Sequence, residues 1–264
     1  MAATPPTADG SLYVYGIVTK GTRVPRASGV GGAAVRLVTG LNLCAAVSAA
    51  PEGLRARRRD LTAHQAVLDE LAEQGPVLPM RFATLVPGED ELRHQLRDRR
   101  TYFGEQLESL RGCVEMNVKG DSVPGFFEQL VRTDDELRAL ARRTRQRPDY
   151  EANVRLGEAL AQAVRREARR AADDVLSRLT PLARRVTHGT VDGAQVLSTS
   201  FLVPREELVR FRKAVDRGAR RYGDRLALRV TGPLPCYSFV DTTAAAPASL
   251  STPAPVSVSA SAGA

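Results

Sequence analysis

The stretch GPVLPMRFATLVPG, Gly75–Gly88, lies between two amphipathic segments and decides how the N-terminal half of the chain is read. Proline fixes φ at about −65°, removes a donor and pushes the residue before it into an extended conformation. Pro76, Pro79 and Pro87 around an apolar run therefore predict an edge strand over Val77–Val86. Upstream, Leu61, His64, Val67, Leu68 and Leu71 recur at spacings of three and four, which predicts a helix over Asp60–Glu73 with those residues on one stripe. Downstream, Leu92, Leu96, Phe103, Leu107 and Leu110 predict a second helix over Glu89–Leu110. Nearer the N-terminus, Leu12–Val18 reads as a strand, and Ala33–Val38 and Leu41–Ser48 as a hairpin around Thr39 and Gly40. The order β, ββ, α, β, α implies a ferredoxin-like α+β domain, an antiparallel sheet with helices on one side, over residues 11–120.

The second half repeats that logic in expanded form, without an evident sequence repeat. A strand over Cys113–Lys119, placed at the end of the first domain, leads through Pro124 and Gly125 into a helix over Phe126–Gln146 that stops at Pro148. Tyr150–Leu179 carries Tyr150, Val154, Gly157, Ala161, Val164, Ala168, Ala171 and Val175 at alternating spacings of four and three. Such a seam predicts a long helix closely approached by a neighbour, hence an antiparallel helical hairpin. Strands over Arg184–Thr190 and Gln195–Val203, a turn at Val191–Gly193, a helix over Arg205–Tyr222 and a strand over Leu226–Thr231 complete a C-terminal α+β domain, residues 121–241. It ends in a second proline-punctuated motif, GPLPCYSFV, Gly232–Val240. Residues 1–10 and 242–264 are rich in Ala, Ser, Thr and Pro and carry few large side chains, so both read as disordered.

Composition narrows the function. The net charge is +8, but only Lys20, Lys119 and Lys213 are lysine, so the excess is a skew toward arginine more than a phosphate-binding face. Cys44, Cys113 and Cys236 form no CxxC pair and are odd in number, which implies a reducing, cytoplasmic setting. Nothing resembles a signal peptide, and no apolar run reaches the ~18 residues of a membrane helix.

The residues that carry chemistry elsewhere are scattered here. His64 falls on a buried stripe, His94 in a charged run and His188 in a strand, so each reads as structural or solvated; no catalytic residue, cofactor site or metal site is assigned. Gly29–Gly32 precedes a strand and lacks the Lys-Ser/Thr of a phosphate loop, which makes it a turn. The arginine runs Arg55–Arg59, Arg97–Arg100 and Arg165–Arg170 each have acids within about a turn, as a solvated helix face does. The exposed-aromatic pattern of RNA-binding sheets is missing. Arg81, between Met80 and Phe82, points by strand alternation to the face opposite its neighbours; if covered it needs a counter-charge, for which Glu115 is the candidate.

Several pieces in a fixed order resemble the gas vesicle protein F/L family. They are LYVYGIV (Leu12–Val18), GVGGAAVRLV (Gly29–Val38), AAVS (Ala45–Ser48), His64 ahead of VLPMRFAT, EMNVKG (Glu115–Gly120) and the terminal GPLPCYSF. Ala83 stands where that family usually has glycine, and Leu234 and Cys236 replace a more usual Trp and Pro. The resemblance implies a non-enzymatic accessory or minor structural protein that binds the hydrophobic gas vesicle shell protein, associates with other accessory gas vesicle proteins and supports vesicle assembly in the cytoplasm. It implies no cofactor and neither nucleic acid nor membrane as partner. Pro79, Arg81, Phe82, Tyr237 and Phe239 are the candidate contact or structural-motif residues. The competing classes are a ferredoxin-like nucleic-acid-binding protein and a small-molecule enzyme.

Overall fold

The structure is a computed structural model that describes residues 10–147 and 149–240. The expectations for residues 1–9 and 242–264, and for a helix stop at Pro148, lie outside the described residues. The rest divides into two compact units, residues 10–111 with Val240, and residues 112–239.

In the first unit β1 (Leu12–Thr19), β2 (Arg36–Gly40), β3 (Leu43–Ala49) and β4 (Val77–Pro79) form an antiparallel sheet in the order β2-β3-β1-β4, and β5 (Leu85–Val86) pairs with β1. This is the strand order of a ferredoxin-like fold, with the loop through Val30–Gly32 where that fold places its first helix. Every residue from Leu12 to Val18 is buried, so helices cover both faces and not one as the sequence suggests. Helix α1 (Arg58–Gln74) brings His64 and Leu68 to the face that carries Tyr13 and Gly16. Helix α2 (Glu89–Asp98) sets Leu96 on Gly40 of the other, where a Cβ would lie 2.8 Å from that side chain. The helix expected over Glu89–Leu110 breaks at Arg99, whose ψ of 18° leaves the helical path before α3 (Arg100–Leu110) begins.

The second unit has the same order. Strand β6 (Cys113–Ser122) is its centre, between β8 (Gln195–Pro204) and β9 (Leu226–Leu234), with β7 (Arg185–His188) outside β8. The strand assigned from sequence to the first domain thus founds the second, and the boundary falls at Gly112, not after residue 120. Helices α6 (Tyr150–Leu179) and α7 (Leu208–Tyr222) cover one face with Ala168, Ala171, Val175, Phe211 and Val215 against Met116, Val118 and Phe201. The helix expected over Phe126–Gln146 is two, α4 (Phe127–Thr133) and α5 (Asp135–Gln146). Asp134 lies between them in extended conformation and caps α5, its carboxylate accepting the Glu136 and Leu137 N–H groups. Only the C-terminal half of the α6 seam is a core seam: Val164, Ala168, Ala171 and Val175 are buried, while Tyr150 is 84% and Val154 41% exposed.

Candidate functional site

The segment Val77–Val86 is not one strand. β4 ends at Pro79, and Met80–Thr84 forms a turn in which the Arg81 carbonyl accepts both the N–H and the Oγ–H of Thr84, at 3.2 and 2.7 Å. Ala83 sits at φ 66°, in the left-handed region that disfavours a Cβ. Arg81 is consequently exposed on a turn, so the condition that called for a buried counter-charge does not arise. Phe82 and Leu85 are half-buried, and Pro79 is buried.

A chain of polar contacts fastens this turn to β1 and α1. The Met80 carbonyl can only accept, so His64 Nε2, 3.2 Å away, carries the proton and Nδ1 accepts from Tyr13 Oη at 2.8 Å. The Tyr13 oxygen in turn accepts the Ala83 N–H at 3.2 Å. Both ends of the Met80–Ala83 turn are thereby tied to one Tyr-His pair. The rings of Tyr13, Tyr15, His64 and Phe82 pack around it, with neighbouring centroids 4.8 to 6.0 Å apart. Burial pushes His64 down to about 4, against a smaller opposing effect of its bond to Met80, so the ring is neutral at pH 7. With both nitrogens engaged it acts as a buckle. Beside it, Tyr15 Oη accepts the Val30 N–H at 2.7 Å and lies 3.0 Å from Ser48 Oγ. Gly29 permits that approach, since a Cβ there would fall 2.2 Å from Tyr15 Oη. The glycine-rich stretch is a turn that serves Tyr15.

The second motif closes the second unit in a similar way. Ser238 donates its N–H to Glu115 Oε2 at 2.8 Å and its hydroxyl to Oε1 at 2.6 Å, so one carboxylate on β6 holds the Tyr237–Phe239 turn. Ser200 Oγ, 2.5 Å from Asn117 Oδ1 and 3.0 Å from Ser238 Oγ, extends the cluster across β8. Arg185 donates to the Phe239 carbonyl and stacks 5.5 Å from the centre of its ring. Gly232, at φ 138°, lets β9 pass β6, where a Cβ would fall 2.7 Å from the Glu115 carbonyl oxygen. Tyr237 is half-buried and Phe239 buried. Burial, with smaller effects of Glu115 and Cys113, pushes the Cys236 thiol up to about 12, and burial also raises Cys113. Neither sulfur is poised as a thiolate.

A family model described as "Gas vesicle synthesis protein GvpL/GvpF" matches residues 11–241, a span that contains both motifs. The chain belongs to the GvpL/GvpF family. Within that family it is 38% identical over 240 residues to gas vesicle protein F of Streptomyces sp. (strain CB03234), covering 88% of this chain and 100% of that protein. It is 31% identical over 255 residues to gas vesicle protein L of the same organism, covering 88% and 94%. The fold matches crystal structures of GvpF from Anabaena sp. PCC7120, with a TM-score of 0.74, and from Microcystis aeruginosa, with 0.68. Each is 21% identical to this chain and covers 88% of it, with 98% and 99% of the respective structure matched. A GvpL/GvpF chain with these contacts has a gas vesicle-related role, and its two motifs are the fastenings of its two sheets. Sequence reading singled out Pro79, Arg81, Phe82, Tyr237 and Phe239 but missed Tyr13, Tyr15, Glu115 and Ser238 as the groups that fasten them. Tyrosines at i and i+2 in a strand, facing a histidine on an apolar helix stripe, were the available signal. Glu115 and Ser238, 123 residues apart, offered none.

Proposed function

We propose that this protein binds the hydrophobic shell subunit of the gas vesicle and keeps it from self-association until it joins the growing wall. It does so in the cytoplasm, with other accessory gas vesicle proteins, and without catalysis. One observation carries the reading: the edge strand of the first sheet is interrupted by a fastened turn that offers Arg81, Phe82 and Leu85 at the surface. An aggregation-prone partner needs apolar surface to cover it and a sheet edge or turn to set its register. Phe82 and Leu85 supply apolar contact, Arg81 a charged rim, and the Tyr13–His64 buckle keeps the turn in one shape. Tyr237 supplies a second half-buried contact. Pro79 and Phe239 act from beneath, as the buried supports of each motif.

Co-expression with the shell subunit tests this. The subunit should stay in the soluble fraction with the intact protein and be lost from it with Phe82→Asp or Leu85→Asp variants that circular dichroism shows to be folded. The expected weakening is roughly 1 to 3 kcal/mol, the range for losing one well-buried apolar side chain. A shell subunit equally soluble with both folded variants refutes this contact. One equally soluble without the protein refutes the function.

A further inference from the structure

The second sheet leaves one long edge open. Strand β9 pairs with β6 on one side and with no strand on the other among the described residues. It has nine residues, against five in β2, three in β4 and four in β7. One bond fixes the direction of its backbone groups. Val123 donates its N–H to the Arg225 carbonyl at 3.1 Å, and the register runs on from Ser122 opposite Leu226 to Asn117 opposite Thr231. Antiparallel pairing alternates hydrogen-bonded and non-bonded residues. Ala227, Arg229 and Thr231 therefore turn their N–H and C=O groups to β6, while Leu226, Leu228 and Val230 turn theirs outward. Gly232 continues the outward set, and its carbonyl accepts from Arg212 Nη2 at 3.0 Å, which closes the ladder at that end. The outward groups of Leu226, Leu228 and Val230 have no partner among the described residues.

Side chains follow the same alternation. Leu226 and Leu228 join the core under α6 and α7, with Gly218 of α7 set against Leu228, and Val230, 39% exposed, carries that apolar row to the surface. Arg229 lies on the other face, directly opposite Lys119 of β6, and like charges so placed cost stability. Asp121 relieves Arg229 at 2.5 Å, but Lys119 has no ion pair among the described residues. Natural edge strands are blunted by a charge or a proline along the edge. Here the single charge between Leu226 and Val230 is Arg229, and it is turned back onto β6. The helix over β9 is strongly basic: α7 carries Arg210, Arg212, Lys213, Arg217, Arg220 and Arg221 against one acid, Asp216.

We propose that β9 is the docking edge for an extended segment of a partner protein in which apolar residues alternate with carboxylates. The segment adds a fifth strand to the four-stranded sheet and exchanges backbone hydrogen bonds with Leu226, Leu228 and Val230. Residues bonded to those three share their face, so the segment's apolar side chains cover Leu228 and Val230. Its alternate residues lie on the face of Arg229 and Lys119, where carboxylates offset the like-charged pair. The basic α7 attracts such a segment and repels a second copy of this chain, which would bring its own α7 and Arg229 to the same edge. The edge lies outside the two fastened motifs, and its occupancy does not depend on how the shell subunit is held.

The test uses the full chain and labelled peptides of four Val-Glu repeats, read by fluorescence anisotropy. One peptide is unmodified, one is N-methylated on its valines, one is N-methylated on its glutamates, and one has lysine for glutamate. The unmodified peptide should bind. Methylation of the valines, whose N–H groups face β9 when their side chains cover Val230, should abolish binding, and methylation of the glutamates should leave it nearly unchanged. Val230→Pro removes an outward N–H and spares the ladder to β6, so it should weaken the unmodified peptide about fivefold. Lys119→Glu should weaken that peptide and strengthen the lysine one. Circular dichroism and the thermal midpoint establish folding, and should Val230→Pro unfold, the two methylated peptides and Lys119→Glu decide alone. No binding of the unmodified peptide, equal binding of the two methylated ones, or a folded Lys119→Glu variant that treats glutamate and lysine peptides as the wild type does overturns the proposal. So does a dimer of the chain that Val230→Pro dissolves, which would make a second copy the occupant. Loss of single-stranded RNA binding in Lys119→Glu, with peptide binding unchanged, would give this face to nucleic acid and overturn it too.

Discussion

Lowering the pH through the range in which His64 would take up a proton should unlatch the Met80–Ala83 turn. The imidazole, 4% exposed, is held neutral with its protonation pushed down to about 4, against 6.5 for the free side chain. Between those values the unfolded chain binds a proton at this position and the folded chain does not, so stability rises with pH. The contribution is complete above about pH 6.5 and is lost progressively as the pH falls to about 4. The full separation corresponds to about 3 kcal/mol, and about 2 kcal/mol of it should disappear between about pH 7.5 and pH 5. Protonation also removes the acceptor at Nδ1, leaving the Tyr13 hydroxyl facing an N–H. Urea unfolding across this range, compared between the wild type and His64→Gln, isolates the effect. The variant should start less stable at neutral pH by about 1 to 3 kcal/mol, from the lost buried hydrogen bonds, and show a shallower pH dependence. Equal pH dependence in the two proteins, or an imidazole proton that titrates near 6.5 by NMR in the folded state, would refute the reasoning.

Three further outcomes follow from the motifs. Ala83→Gly should stabilise the protein by about 0.5 to 1 kcal/mol, because removing the Cβ relieves a left-handed alanine by about 1–2 kcal/mol while the freer unfolded chain takes back about 0.4–1; a lower unfolding midpoint would contradict this. Ser238→Ala, which removes the hydroxyl bond to Glu115 and keeps the one from its backbone N–H, and Glu115→Gln, which takes the charge from both, should each cost about 1 to 3 kcal/mol, and the double variant less than their sum, since they share the hydroxyl bond; a strictly additive double-mutant cycle would show that the two do not act together. Binding to the shell subunit should persist at raised salt, because burial of apolar area is not screened whereas exposed charge pairs are. If moderate salt abolishes it and Arg57, Arg58 and Arg59 to Ser weaken it more than Phe82→Asp, the interface is electrostatic.

Periodicity made most elements of this fold legible, and their order gave the sheet. It failed where a local conformation or a distant partner decided the outcome. The apolar run Val77–Val86 reads as unbroken because Phe82 and Ala83 are ordinary strand residues; the break comes from the φ of Ala83 and from Tyr13 and His64, which pull the turn inward. Asp134 hides inside a helical pattern because the α5 cap and the end of α4 occupy one residue. The α6 seam looks uniform from Tyr150 to Val175, yet a seam states only what can be buried, and here β6, β8 and α7 meet its second half alone. Strand β6 was assigned to the wrong unit because adjacency in sequence favours the preceding helix, while pairing with β8 and β9 lies more than seventy residues ahead. Of the candidate site, the turn residues were visible and their fastenings were not.

The central position of β6 has a consequence for synthesis. It leaves the ribosome first among the strands of its sheet, but β8 follows only after α4, α5 and α6 have been made, and β9 only after α7 as well. A nascent chain stopped anywhere before Leu226 presents one whole side of β6 without its neighbour, and one stopped before Ser238 leaves Glu115 buried in the finished sheet without the serine that satisfies it. The first unit has all its strands within residues 12–86 and can close as they emerge. The second can close only when it is nearly complete, so premature termination yields a folded N-terminal half attached to an adhesive strand.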